Sequence, residues 1–96
     1  MRYRELRQAL ELFGLPDRIT LKELKKRHRE LVRKHHPDVG GNDDGSAIRQ
    51  LNAAYRILLE YTENYRLSFA EDEFYEQNPD ERLRMQFEDT ALWGAR

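Results

Sequence analysis

A proline at position 37 stops the most strongly patterned stretch of this chain, and that stop narrows the folds open to it. Proline pushes the preceding residue out of helical backbone, so a helix reaching His36 has to end there. Upstream, Thr20 is followed three residues later by Glu23. This is a capping box, in which hydroxyl and carboxylate satisfy the orphan N–H groups of a helix start. The two signals bracket a helix over about residues 20–35. At about 100° per residue, Leu21, Leu24, His28, Leu31, Val32 and His35 fall within one arc of about 100°. Lys22, Lys25, Lys26, Arg29 and Arg33 fall within a second arc of similar width, centred about 120° away. One face is built for burial, and the neighbouring face is a basic stripe leading to His36.

The remaining elements follow from the same periodicity. Tyr3, Leu6, Leu10 and Phe13 share a helical spacing that ends at Gly14, which predicts a shorter helix over about 3–13. Residues Val39 to Gly45 have turn composition and no periodicity, which makes them a loop. A second long helix, over about 46–65, places Ile48, Leu51, Tyr55, Leu58 and Thr62 on one face, with Ala47 and Ala54 beside them. Two amphipathic helices joined by a polar loop pack as an antiparallel hairpin, with the first helix closing one side. The fold class is therefore all-α.

After Leu67 the composition turns acidic. Residues 68–96 carry 3 basic and 8 acidic side chains, whereas residues 1–40 carry 11 basic and 6 acidic. A chain with a net charge of -1 can thus still present a basic surface. Asn78 as N-cap, Pro79 at the first helical position and acids behind them predict a short amphipathic helix over about 79–88. Leu83 and Phe87 share one of its faces, and Leu92 and Trp93 follow. The expected organisation is one domain over 1–67 and an acidic extension over 68–96. Two roles are open to Leu83, Phe87, Leu92 and Trp93: folding back onto the domain, or contact with a client or recruiting protein.

Several kinds of chemistry are disfavoured. The chain has no cysteine, so it forms no disulfide and no thiolate metal site. His28 and His35 lie on the apolar arc, where histidines belong to a core more often than to a metal site. A calcium loop starting at Asp38 fails because its twelfth position is Arg49, where a bidentate glutamate is required. Gly40-Gly41 lacks the lysine and hydroxyl context of a phosphate-binding loop, and no nucleophile–base pattern is present. Neither a metal nor another cofactor is expected. A helix-turn-helix reading is opposed by the long gap from His36 to about Gly45 and by an acidic tail that repels phosphate. No apolar run approaches the ~20 residues that span a bilayer, and no apolar stretch follows the N-terminus as in a signal peptide. The expectation is a cytoplasmic monomer that binds neither nucleic acid nor membrane.

The motifs now resemble a known family. Leu12-Phe13-Gly14-Leu15 resembles the end of the first helix of a J-domain, as found in DnaJ-like co-chaperones. Leu24 through Arg29, Leu31, Lys34 and His36-Pro37-Asp38 resemble its second helix and signature loop. Leu51-Asn52-Ala53-Ala54-Tyr55 with Leu58 resembles its third helix. A His-Pro-Asp tripeptide alone arises by chance in on the order of 1% or fewer of chains this long. Its place between a basic amphipathic helix and a polar loop makes the likeness specific over residues 3 to about 66. The chain departs from the usual pattern at His28, where a tyrosine is common, and at His35 and Ile48, where aromatics are common. Glu30 occupies a frequently basic position. With no Gly/Phe-rich linker, zinc motif or β-rich client domain, the chain resembles the J-domain-only class.

The resemblance implies a partner and a role. The partner is a DnaK-type chaperone, docked through Lys22, Lys25, Lys26, Arg29 and Arg33. His36, Pro37 and Asp38 trigger the partner's ATP hydrolysis, so this chain is not itself an enzyme. A J-domain serving only as an adaptor has no need of the triggering loop, which is intact here.

Overall fold

A computed structural model describes residues 1–36 and 45–94, with side chains up to residue 89. The order of elements is α1 (Tyr3–Phe13), α2 (Leu21–Lys34), α3 (Ser46–Glu63), α4 (Glu71–Gln77) and α5 (Pro79–Gly94). The described residues are helical with no strand, so the all-α reading holds. The chain divides into two compact units, Met1–Tyr65 and Arg66–Arg96.

In the first unit, α1 ends because Gly14 adopts a left-handed conformation at φ 63°. Its N–H donates to the Glu11 carbonyl, and the Leu15 N–H donates back to the Leu10 carbonyl at 3.3 Å. These bonds satisfy carbonyls that the helix end would otherwise orphan, and a residue with a Cβ would be strained at that φ. The chain then turns through Pro16 and Asp17. The Asp17 carboxylate accepts a 2.7 Å hydrogen bond from Arg7 on α1, which pins the turn to the helix it leaves.

Three helices share one core. Ala9 and Phe13 come from α1, Leu24 and Leu31 from α2, and Leu51, Ala54 and Leu58 from α3. Leu6, Leu10, Leu15, Ile19, Ile48, Tyr55, Ile57 and Leu59 pack around them. The start of α1 lies beside the end of α3, so these two helices run antiparallel. Their packing is more extensive than that between α2 and α3. Phe13 is completely buried.

Two residues assigned to packing faces are exposed. Tyr3 is 73% exposed and Leu21 is 42% exposed. Each sits in the first turn of its helix, where the correct angular position no longer guarantees a neighbour along the axis.

The second unit holds more helix than its sequence suggests. Residues 71–77 form α4, where no element was expected, and α5 runs to Gly94 rather than to about 88. Glu71, Asp72 and Glu73 occupy the first turn of α4, where carboxylates favour the helix dipole. Asn78 does not cap α5 through its side chain. Its Nδ2 donates backwards to the Phe74 carbonyl at 2.9 Å, closing α4, while its own carbonyl accepts from the Glu81 and Arg82 N–H groups. Among the described residues no helix is long and apolar enough to cross a membrane.

The position of Phe13 yields a direct expectation. Phe13→Ala should destabilise the three-helix unit by about 3–5 kcal/mol, since it removes the transfer gain and leaves a cavity. Small domains have little more than that in total. Urea denaturation followed by circular dichroism at 222 nm should show a much lower midpoint or no folded baseline.

Candidate functional site: the basic face of α2

The site begins with how α2 starts. The Thr20 N–H donates to Glu23 Oε1 at 3.0 Å, and the Thr20 hydroxyl donates to the same oxygen at 2.9 Å. In return the Glu23 N–H donates to Thr20 Oγ1 at 3.1 Å. The expected capping box is therefore complete. Hydrogen bonds from the Thr20 backbone, then from its hydroxyl, hold the Glu23 carboxyl below its ordinary pKa.

What holds α2 in its rotational setting is a set of contacts around Phe13. Leu24 and Leu31 are buried in the core. Between them, the half-buried His28 ring stacks on Tyr55 of α3 with centroids 3.8 Å apart and planes 6° from parallel. Phe13 lies nearly parallel to both rings, at 6.2 and 6.3 Å. His28 Nε2 meets Asn52 Oδ1 at 3.0 Å, an arrangement in which Nε2 carries the hydrogen. Beside the rings, Arg27 Nε donates to the Phe13 carbonyl at 2.8 Å. That carbonyl belongs to the last residue of α1 and has no partner further along the helix.

With α2 so set, Lys22, Lys25, Lys26, Arg29 and Arg33 are all exposed. None of the five forms an ion pair with a described residue. The two acids of the helix are engaged elsewhere: Glu23 in the cap, and Glu30 with Arg27 at 3.6 Å. Glu30, at a position often basic in J-domains, thus pairs with Arg27 rather than with any of the five. The stripe's charge is consequently not cancelled from within its own helix.

The helix ends where proline requires. His35 is the C-cap at φ -105°, ψ 17°, and its N–H donates to the Leu31 carbonyl at 3.0 Å. Arg33 and Lys34 occupy the last turn, where cations suit the dipole. His36 follows and is exposed. Pro37 and Asp38 lie outside the described residues. No group of three or more histidine, cysteine, aspartate or glutamate side chains suited to a metal occurs among the described residues.

Leu83 and Phe87 lie on α5 of the second unit, 55% and 68% exposed. The side chains of Leu92 and Trp93 are outside the described residues. Periodicity alone marks neither Arg27 nor Asn52, the partner of His28, as part of the site. A signal for Arg27 is present: it lies just beyond the apolar arc of α2, on the flank away from the stripe, where a long cation reaches a neighbouring helix end.

Thr20→Ala should lower stability by about 1 kcal/mol at neutral pH, the usual cost of losing an N-cap. Because Glu23's folded pKa is depressed, its contribution is full above the ordinary carboxylate value of about 4.3 and is lost as pH falls through the folded value. The stability gap between wild type and Thr20→Ala should therefore narrow in acid. Urea midpoints across a pH series would read this directly.

The family model of the DnaJ domain matches residues 8–66. The chaperone protein DnaJ 2 of Synechocystis sp. is 34% identical over 65 residues, covering 66% of this chain and 21% of that protein. The chaperone protein DnaJ of Carboxydothermus hydrogenoformans is 39% identical over 54 residues, 54% of this chain and 14% of that protein. DnaJ homolog subfamily C member 5B of Sus scrofa is 38% identical over 52 residues, 52% of this chain and 26% of that protein. This chain thus matches only a minor part of each relative. No solved structure matches. Matched over more than half of its length, the chain belongs to the DnaJ-domain family.

Proposed function

We propose that this chain is a co-chaperone that docks on a DnaK-type chaperone and stimulates its ATP hydrolysis. The observation that carries this reading is the row of five exposed cations on α2, none of them ion-paired among the described residues, running up to His36. A basic row of this kind attracts an acidic surface over about one Debye length, 8–10 Å at ordinary ionic strength. Each such rim charge contributes on the order of 0–1 kcal/mol, so the row steers and orients. His36 and Asp38, with Pro37 fixing the backbone between them, supply directional hydrogen bonds at the tip. Contacts made better with the hydrolysis-competent state than with its alternative shift the partner towards that state. The chemistry is then the partner's, and this chain is no enzyme.

In this reading residues 1–67 are the J-domain, and residues 68–96 are an extension that contacts a client or recruiting protein through Leu83, Phe87, Leu92 and Trp93. The chain acts as a monomer in the cytoplasm and needs no cofactor.

Single-turnover ATP hydrolysis by a DnaK-type chaperone tests the proposal. Wild-type protein should accelerate hydrolysis several-fold or more, and His36→Gln should not, while its circular dichroism stays unchanged. Lys25→Glu with Arg29→Glu should weaken stimulation roughly tenfold or more at low salt and by less at high salt. Inertness of the wild type with several DnaK-type partners would overturn the reading.

A further inference from the structure

The basic stripe of α2 has two unlike edges. Past Lys26, the next positions around the helix are Glu30 and Glu23, so the cationic surface stops there. Past Lys25, on the opposite edge, come Val32, Leu21 and His28, and then the seam with α3. His28 Nε2 meets Asn52 Oδ1 across that seam at 3.0 Å. What lies behind Asn52 on α3 therefore decides where the surface ends on this side.

Arg56 lies there. It follows Asn52 by four residues, one turn along α3, and sits about 40° further from the buried Leu51, Ala54 and Leu58. Its side chain is exposed and forms no ion pair or hydrogen bond among the described residues. Helices α2 and α3 form an antiparallel hairpin, so one turn towards the end of α3 matches one turn towards the start of α2. From His28 that turn leads to the buried Leu24 and the exposed Lys25. Arg56 and Lys25 thus flank the outer edge of the seam at the same level, and Arg29 follows Lys25 by one turn. Helix α1 leaves this edge uncovered. Arg27 reaches the Phe13 carbonyl from the far flank of α2, and Ala54 and Ile57 border α1 on the far flank of α3.

The other charges of α3 on this side are Arg49, Glu60 and Glu63. Arg49 turns its guanidinium back beside Gly45, at the start of the helix. Glu60 and Glu63 come level with the start of α2 and beyond it, and neither ion-pairs with Arg56. They close the surface at that end. From Ser46 to Leu59, α3 contains no acid at all. The cationic surface therefore ends at acids on one edge of α2 and continues across the seam onto α3 on the other.

We infer that Arg56 belongs to the face that docks the DnaK-type partner, and that this face straddles the α2–α3 seam. The inference rests on the proposed co-chaperone reading and adds where on the domain the partner's acids lie. A row of carboxylates placed over the seam meets Lys25 and Arg29 from one side and Arg56 from the other. The same row shifted past Lys26 meets Glu30 and Glu23 and is repelled. Arg56 thereby fixes the lateral register of docking and selects partners whose acids run along the seam.

Titrating the full chain into single-turnover ATP hydrolysis by a DnaK-type chaperone tests this, because it separates half-maximal concentration from maximal rate. At low salt Arg56→Glu should raise the half-maximal concentration roughly three- to tenfold and leave the maximal rate unchanged. Arg4→Glu makes the same charge change at an exposed position of α1 and should leave both unchanged. Arg56→Lys should keep most of the wild-type behaviour, and the defect of Arg56→Glu should shrink at high salt. Position 56 is exposed, so circular dichroism and the urea midpoint should barely move. Arg56→Gln repeats the test without setting a new acid one turn from Glu60. Equal half-maximal concentrations for wild type and Arg56→Glu overturn the inference. So does an equal rise with Arg4→Glu, which would be an effect of net charge, and so does a fall in maximal rate alone. A wild type that stimulates beside an indifferent Arg56→Glu loses only this inference. An inert wild type removes the co-chaperone reading and the inference with it.

Discussion

The stacking of His28 between the core and Tyr55, with Arg27 bonded to the Phe13 carbonyl, sets the rotation of α2 about its own axis. Everything the basic face can do depends on that setting. The helix offers the core only two buried leucines, seven positions apart. A slip of one residue would turn the helix by about 100° and drive cations towards the interior, where an unpaired charge is prohibitively costly. Flat rings with centroids 3.8 Å apart and a directed hydrogen bond resist such a slip more than aliphatic contacts alone. His28 stands where J-domains commonly carry tyrosine. It keeps the flat ring and adds a ring nitrogen that reaches Asn52 on α3.

Charge is sorted on a larger scale as well. Both acids of α2 are held within the fold, since Glu23 closes the cap and Glu30 pairs with Arg27. The stripe is left as a field of one sign, at the distance over which encounter is steered. The second unit has the opposite sign, and its Arg82 and Arg84 pair with acids of the same unit. One chain of near-zero net charge therefore carries two surfaces with different electrostatic preferences.

The first three helices were legible because their signals are local and agree with one another. Gly14, the Thr20–Glu23 pair and Pro37 mark ends by backbone chemistry that tertiary contacts rarely override. Tyr3 and Leu21 were misassigned because periodicity gives an angle around a helix and not a depth along it. The α4 helix escaped notice because seven residues with three leading acids show no apolar repeat; its start rests on the dipole and its end on the Asn78 side chain. Asn78 has the composition of an N-cap, yet geometry directed its amide to the preceding helix. In the site, the cations and His36 could be read from spacing. The Arg27–Phe13 and His28–Asn52 bonds could not, because both join residues far apart in sequence.

The division of α2 into a buried side and a charged side has an evolutionary consequence. Its five cations are no part of the buried core, and surface replacements of this kind usually change stability by no more than about 0.5 kcal/mol. Phe13, Leu24 and Leu31 have no such freedom. Selection can therefore retune the outward chemistry of this helix one residue at a time, through intermediates that all still fold.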